Sequence, residues 1–139
     1  MPIQQSDVLY TAVATAQNGR DGRVATDDGR LDVLVNPPEE LGGSGAGTNP
    51  EQLFAAGYSA CFQGALAVVA RKRGADVSGS TVTAKVGFGK NAEGFGLLVE
   101  ISASVPDTDP DTARALLAEA HQVCPYSKAT RGDITVTLT

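Results

Sequence analysis

From Leu53 to Ala70 the chain is apolar on nearly every side of a helical wheel, so this segment cannot be a strand with one wet face. Its ends are marked. Asn49 suits an N-cap, Pro50 fits the first helical position, and Gln52 stands three residues after the cap. Arg71, Lys72 and Arg73 set cations at the negative end of the dipole, and Gly74 offers the left-handed C′ residue. The pattern predicts a helix of about 24 residues, roughly 36 Å long. A single domain of this length has a radius of gyration near ~14 Å, so the helix must cross the whole of it and be buried all round. One small sheet covers one of its faces; a second copy of the helix from a partner subunit is the simplest cover for the other.

Strand-like runs flank this helix. Val8 to Thr15 is rich in β-formers, Asn18-Gly19 and Asp28-Gly29 punctuate turns, and Leu31, Val33 and Val35 alternate before Pro37-Pro38 stops the run. The glycines from Gly42 to Gly47 lack the Lys-Ser/Thr ending of a phosphate loop and read as a connection. Thr81 to Phe88 and Phe95 to Val105 predict an antiparallel pair turning around Asn91 to Gly94. Asp109-Pro110-Asp111 opens a second helix whose inward face is Ala113, Leu116, Leu117, Ala120 and Cys124, with Pro125 ending it. Ile134, Val136 and Leu138 form a last strand. This order predicts one α+β domain over residues 1–139, with antiparallel sheets around a long buried helix.

With 42% hydrophobic residues and 139 positions, the chain is long and apolar enough to build a core without staples. A formal charge of -5 with no Lys/Arg stripe argues against nucleic acid or an anionic membrane as partner. The N-terminus has no basic-then-apolar leader pattern, and the longest apolar segment is broken by Gly, Gln and Ser; a cytoplasmic location is expected. In that compartment two cysteines are either inert or redox-active more often than a structural disulfide.

Chemistry is concentrated in few residues. Cys61 shares a helical face with Gly57 and Gly64, which leaves space beside its sulfur; it reads either as a small core residue or as a reactive thiol. Cys124, on the inward face of the second helix, has the same two readings. A reactive thiol must ionise, and the helix dipole fades before reaching Cys61, so a cation is needed. An Arg at about 4 Å with an effective dielectric near ~20 would supply on the order of 4 kcal/mol. Arg20 and Arg23 are the candidates. Glu51, about 15 Å along the helix from Cys61, is placed to hold such an Arg rather than to touch the thiol, whose pKa it would raise. His121, one turn before Cys124, leaves a Cys-His hydrolase open, while one His and two Cys fall short of a four-ligand zinc site; no metal is expected.

Five segments, Gly19 to Arg23, Glu40 to Gly43, Thr48 to Phe62, Gly94 to Leu97 and Ala120 to Ser127, closely resemble the organic hydroperoxide resistance proteins of the OsmC-like superfamily. The likeness runs over essentially the full length, and the two cysteine segments in this order are its specific part. It implies an intertwined α+β homodimer with active sites at the subunit interface, and a thiol peroxidase that reduces organic hydroperoxides to alcohols. By the same resemblance Cys61 is the peroxidatic thiol, Cys124 the resolving one, Arg20 the activating cation and Glu51 its carboxylate partner. Tyr126, Phe95 and Phe62 are the apolar substrate contacts it points to. No cofactor is expected to be bound; a dihydrolipoyl dithiol on a carrier protein is the implied external reductant. A non-catalytic stress-related binding module on the same fold, with both thiols inert, is the competing reading.

Overall fold

In the computed structural model, which describes residues 2–139, the chain gathers into two compact units, one running to Pro50 and one covering Glu51–Thr139. The first unit is a three-stranded antiparallel meander of β1 (Ala14–Gln17), β2 (Gly22–Thr26) and β3 (Asp32–Val35). Its two turns fall where the sequence places them: Asn18 and Gly19 take positive φ between β1 and β2, and Gly29 does so between β2 and β3. The run from Val8 onward joins the sheet only at Ala14; the residues before it remain unpaired in any strand, with Leu9 and Tyr10 fully or largely exposed. Val35 is buried and bridges Thr48 in parallel, which ties the Gly-rich connection back to β3.

The second unit holds the core. α1 (Pro50–Arg73) begins directly after Asn49 and ends at Gly74, whose positive φ lets the Ala75 N–H reach back to the Ala70 carbonyl at 2.9 Å. β4 (Thr81–Asn91) and β5 (Gly94–Ser104) pair antiparallel over their full length, and alternate residues turn inward: Val82 faces Ala103, Ala84 faces Ile101, Val86 faces Val99. α2 (Pro110–Val123) is capped by Asp109, which accepts from the Thr112 N–H at 2.9 Å.

Four features differ from the sequence reading. β6 (Val136–Leu138) lies beside β5 in parallel, so this sheet is mixed rather than purely antiparallel. Pro125 ends one helix and starts another, α3 (Pro125–Thr130), because a proline without an N–H costs nothing at a first helical position. α1 is not buried all round within one chain. Tyr58, Phe62, Ala65, Leu66, Val69 and Ala70 form its buried face, against Val99, Ile101, Leu116, Leu117 and Ala120, whereas Ala56, Ala60, Gln63, Gly64 and Val68 make an exposed stripe. By length and composition alone α1 is apolar enough to cross a membrane, at mean hydropathy 1.6, although the sequence reading took its Gly, Gln and Ser positions to break that pattern.

Candidate active site

Cys61 sits about three turns into α1, half-buried at the edge of the core, three residues after the fully buried Tyr58. Cys124 sits at the joint between α2 and α3 and is completely buried. It serves both as the C-cap of α2 and the N-cap of α3, with an extended backbone (φ -62°, ψ 123°) between two helical stretches. The two sulfurs lie 3.5 Å apart and are not bonded, although 63 positions separate them in sequence. The inward face read from Leu116, Leu117, Ala120 and Cys124 is what delivers the second thiol.

The surroundings of Cys61 work against its ionisation. Burial pushes the thiol above its ordinary value, the Tyr126 backbone N–H opposes this by donating to the sulfur, and the Cys124 thiol adds to the rise. Tyr126 contributes its ring as well. It packs with Tyr58 (centroids 5.7 Å) and Phe54 (6.1 Å), and its hydroxyl occupies the room that Gly57 leaves: a Cβ there would sit 2.8 Å from it. The free space expected beside Cys61 is therefore taken on the Gly57 side by Tyr126, while Gly64 faces open space.

The structure thus brings together Cys61, Cys124 and Tyr126. Phe62 is not with them as a surface: it is fully buried in the core and has no face to offer a substrate, because position 62 falls on the inward stripe of α1. Phe95 is 71% exposed and stacks on Phe88 at 5.1 Å, where the hairpin end lines an open cavity of about 450 Å³ whose walls include neither cysteine. Arg20 stands in the turn between β1 and β2, and Glu51 in the first turn of α1. Arg23, the other candidate cation, is engaged: its Nε and Nη2 grip the two Asp32 carboxylate oxygens at 2.6 and 2.5 Å across the meander, which holds Asp32 below the usual carboxylate range.

His121 directs Nδ1 at the Ser127 hydroxyl, 2.8 Å away, and Ser127 in turn meets the Tyr58 hydroxyl at 2.8 Å. The sequence reading missed this chain and the Tyr126 N–H. The one signal for them was Pro125 directly after Cys124, which marks a helix start and so places the N–H groups of the next two residues at a positive helix end. Among the described residues no three His, Cys, Asp or Glu side chains gather as a metal site.

Comparison with known proteins agrees with the fold. Residues 42–139 match the family model of OsmC-like proteins. The chain is 52% identical to an organic hydroperoxide resistance protein of Xanthomonas axonopodis pv. citri, covering 95% of this chain and 94% of the relative. It is 43% identical to the organic hydroperoxide resistance protein OhrB of Bacillus subtilis, covering 94% and 96%. The crystal structure of an organic hydroperoxide resistance protein from Legionella pneumophila superposes with a TM-score of 0.91 at 45% identity, covering 95% of this chain and 97% of that one. The chain belongs to the OsmC-like family, among its organic hydroperoxide resistance proteins.

Proposed function

We propose that the protein is a thiol peroxidase for organic hydroperoxides, with Cys61 as the attacking thiol and Cys124 as the resolving one. The observation that carries this reading is the approach of two unbonded sulfurs to 3.5 Å, one half-buried and one fully buried. The relatives' names, which speak of organic hydroperoxide resistance, supply the substrate class. The Cys61 thiolate displaces an alkoxide from the distal peroxide oxygen, giving a sulfenic acid and, after protonation, the alcohol. The Cys124 thiol then attacks that sulfur, its proton leaves with the hydroxyl as water, and a Cys61–Cys124 disulfide results. Bonding needs the sulfurs to close by about 1.5 Å, to near 2.05 Å.

Burial and the neighbouring Cys124 thiol raise the Cys61 pKa by more than the Tyr126 N–H lowers it, so the thiolate depends on a positive charge. Arg20 is that charge, held by Glu51; the assignment rests on the family motif and on Arg23 being committed to Asp32. Tyr126 supplies an apolar wall for the alkyl part of the substrate. The exposed stripe of α1 and the exposed Ile3, Leu9 and Tyr10 support a homodimer in which a second copy covers them. A dihydrolipoyl dithiol reduces the disulfide, since a dithiol closes its own ring and does not stall at a mixed disulfide. The protein works in the cytoplasm, and its partners are the hydroperoxide, the lipoyl-bearing carrier and its own second copy.

The test is steady-state turnover of an organic hydroperoxide with dihydrolipoamide, glutathione or a thioredoxin system as reductant. Fast turnover with dihydrolipoamide alone is expected. No turnover with any of them would reject the peroxidase, and equal rates with all three would reject the lipoyl assignment.

A further inference from the structure

The resolving thiol sits at a break between two helices, and two neighbouring residues just after that break are fastened to α1. Tyr126 donates its backbone N–H to the Cys61 sulfur, and Ser127, 0% exposed, meets the hydroxyl of the equally buried Tyr58 at 2.8 Å. Tyr58 and Cys61 are three residues apart on one face of α1, so the start of α3 is pinned to that helix at two points. The first pin runs through the reacting sulfur and is disturbed as soon as Cys61 is oxidised. The second does not involve either thiol. It continues from Ser127 to His121 Nδ1 on α2, and Arg131 ties in from the far end of α3 through its Nη2 to the His121 carbonyl, both at 2.8 Å.

With the imidazole protonated on Nε2, Tyr58 donates to Ser127 and Ser127 donates to Nδ1, so each hydroxyl proton has an acceptor. Thr130 completes the set: its hydroxyl donates to the Ser127 carbonyl at 3.1 Å and lies 3.5 Å from the Tyr58 hydroxyl. No buried side-chain nitrogen or oxygen among the described residues lacks a partner. A fully satisfied polar chain inside a core rigidifies what it connects, and this one connects α1, α2 and α3 around the single non-helical residue Cys124.

We propose that Tyr58, Ser127 and His121 are positioning residues for the resolving step, holding the Cys124 joint against α1 while Cys61 is a sulfenic acid and the Tyr126 contact to its sulfur is lost. This rests on the peroxidase reading and deepens it. Peroxide attack on Cys61 does not use the chain; disulfide closure does.

The experiment is rapid mixing with one equivalent of an organic hydroperoxide, following loss of peroxide and trapping the Cys61 sulfenic acid with a dimedone probe over time. Tyr58→Phe removes one hydroxyl and keeps the ring, leaving Ser127 still paired with His121. It is expected to consume peroxide at the wild-type rate while its sulfenic acid persists about two- to tenfold longer, the kinetic weight of one hydrogen bond. His121→Ala is expected to do the same, and His121→Asn, which places an amide group where Nδ1 stands, to restore fast closure. Loss of thermal stability with an unchanged ratio of the two rates would show a merely structural chain and overturn the proposal. So would wild-type closure in both Tyr58→Phe and His121→Ala. If the wild-type protein forms no sulfenic acid at all, the peroxidase reading falls and the proposal with it; if wild type cycles and the variants close equally fast, only the proposal falls.

Discussion

Cys61 and Cys124 lie 3.5 Å apart on backbones of opposite character. Cys61 is carried in the interior of a 24-residue helix that has no break, half open to solvent. Cys124 is fully buried at a one-residue joint between a 14-residue and a 6-residue helix. The contrast fits a division of labour. A thiol that meets a substrate gains from a rigid support and access, whereas a thiol that must travel about 1.5 Å to form a bond gains from a joint that can rotate. Burial shields the Cys124 thiol from solvent, and Cys61 is the more exposed of the two.

The largest effects should come from removing either thiol. Cys61→Ser is expected to bring peroxide turnover to background with the fold retained, since a serine at neutral pH is no comparable nucleophile; circular dichroism and a peroxide assay read both. Cys124→Ser should consume one equivalent of peroxide per chain and stop, leaving a sulfenic acid that mass spectrometry finds on Cys61. A Cys124→Ser protein that continues to turn over would erase the distinction between the two positions.

Next in size is the charge that counters burial at Cys61. Arg20→Ala should raise the thiol pKa, read by thiolate absorbance against pH, and each unit of rise lowers the thiolate at pH 7 by about tenfold. Arg23→Ala should leave the thiol alone and instead release Asp32 toward its ordinary carboxylate range, followed by NMR. Matching effects of the two substitutions on the thiol would remove Arg20 from its role.

Gly57→Ala tests the wall beside Cys61. The added Cβ meets the Tyr126 hydroxyl at 2.8 Å, but that ring is 39% exposed and can swing outward. A stability loss of about 1 kcal/mol in denaturant is expected, at the low end for overpacking, together with a higher KM for bulky hydroperoxides. Unchanged KM would separate Tyr126 from substrate binding.

The smallest effect concerns pH. His121 is held below the ordinary histidine value of 6.5, first by burial and then by the Arg131 charge. The unfolded chain therefore takes up the proton before the folded one does, so stability is unaffected well above 6.5 and declines as pH falls through it. Between pH 7.5 and 5.5 the wild-type melting temperature should fall more than that of His121→Asn; an equal fall would contradict it.

Much of this comparison was legible in the residues. Asn49, Pro50 and Gly74 bracket α1, and the face Leu116, Leu117, Ala120 and Cys124 turns the second thiol inward, because both signals are local. The family resemblance named the cysteine pair. The parallel pairing of β6 with β5 depends on a partner strand more than thirty residues away, which no local pattern encodes. The strand expected from Val8 fails before Ala14 because β-formers without a partner strand have no ladder to join. The Tyr58–Ser127–His121 chain was hidden for a similar reason: three polar residues on three helices, each unremarkable alone, become informative only when folded together.

The central claim is that these two thiols form one redox unit, and peptide mapping after a single equivalent of an organic hydroperoxide tests it most directly. The account predicts loss of two thiols per chain and one cross-linked peptide joining Cys61 to Cys124. Loss of the Cys61 thiol with Cys124 left free in the wild-type protein, or two intact thiols, would contradict it.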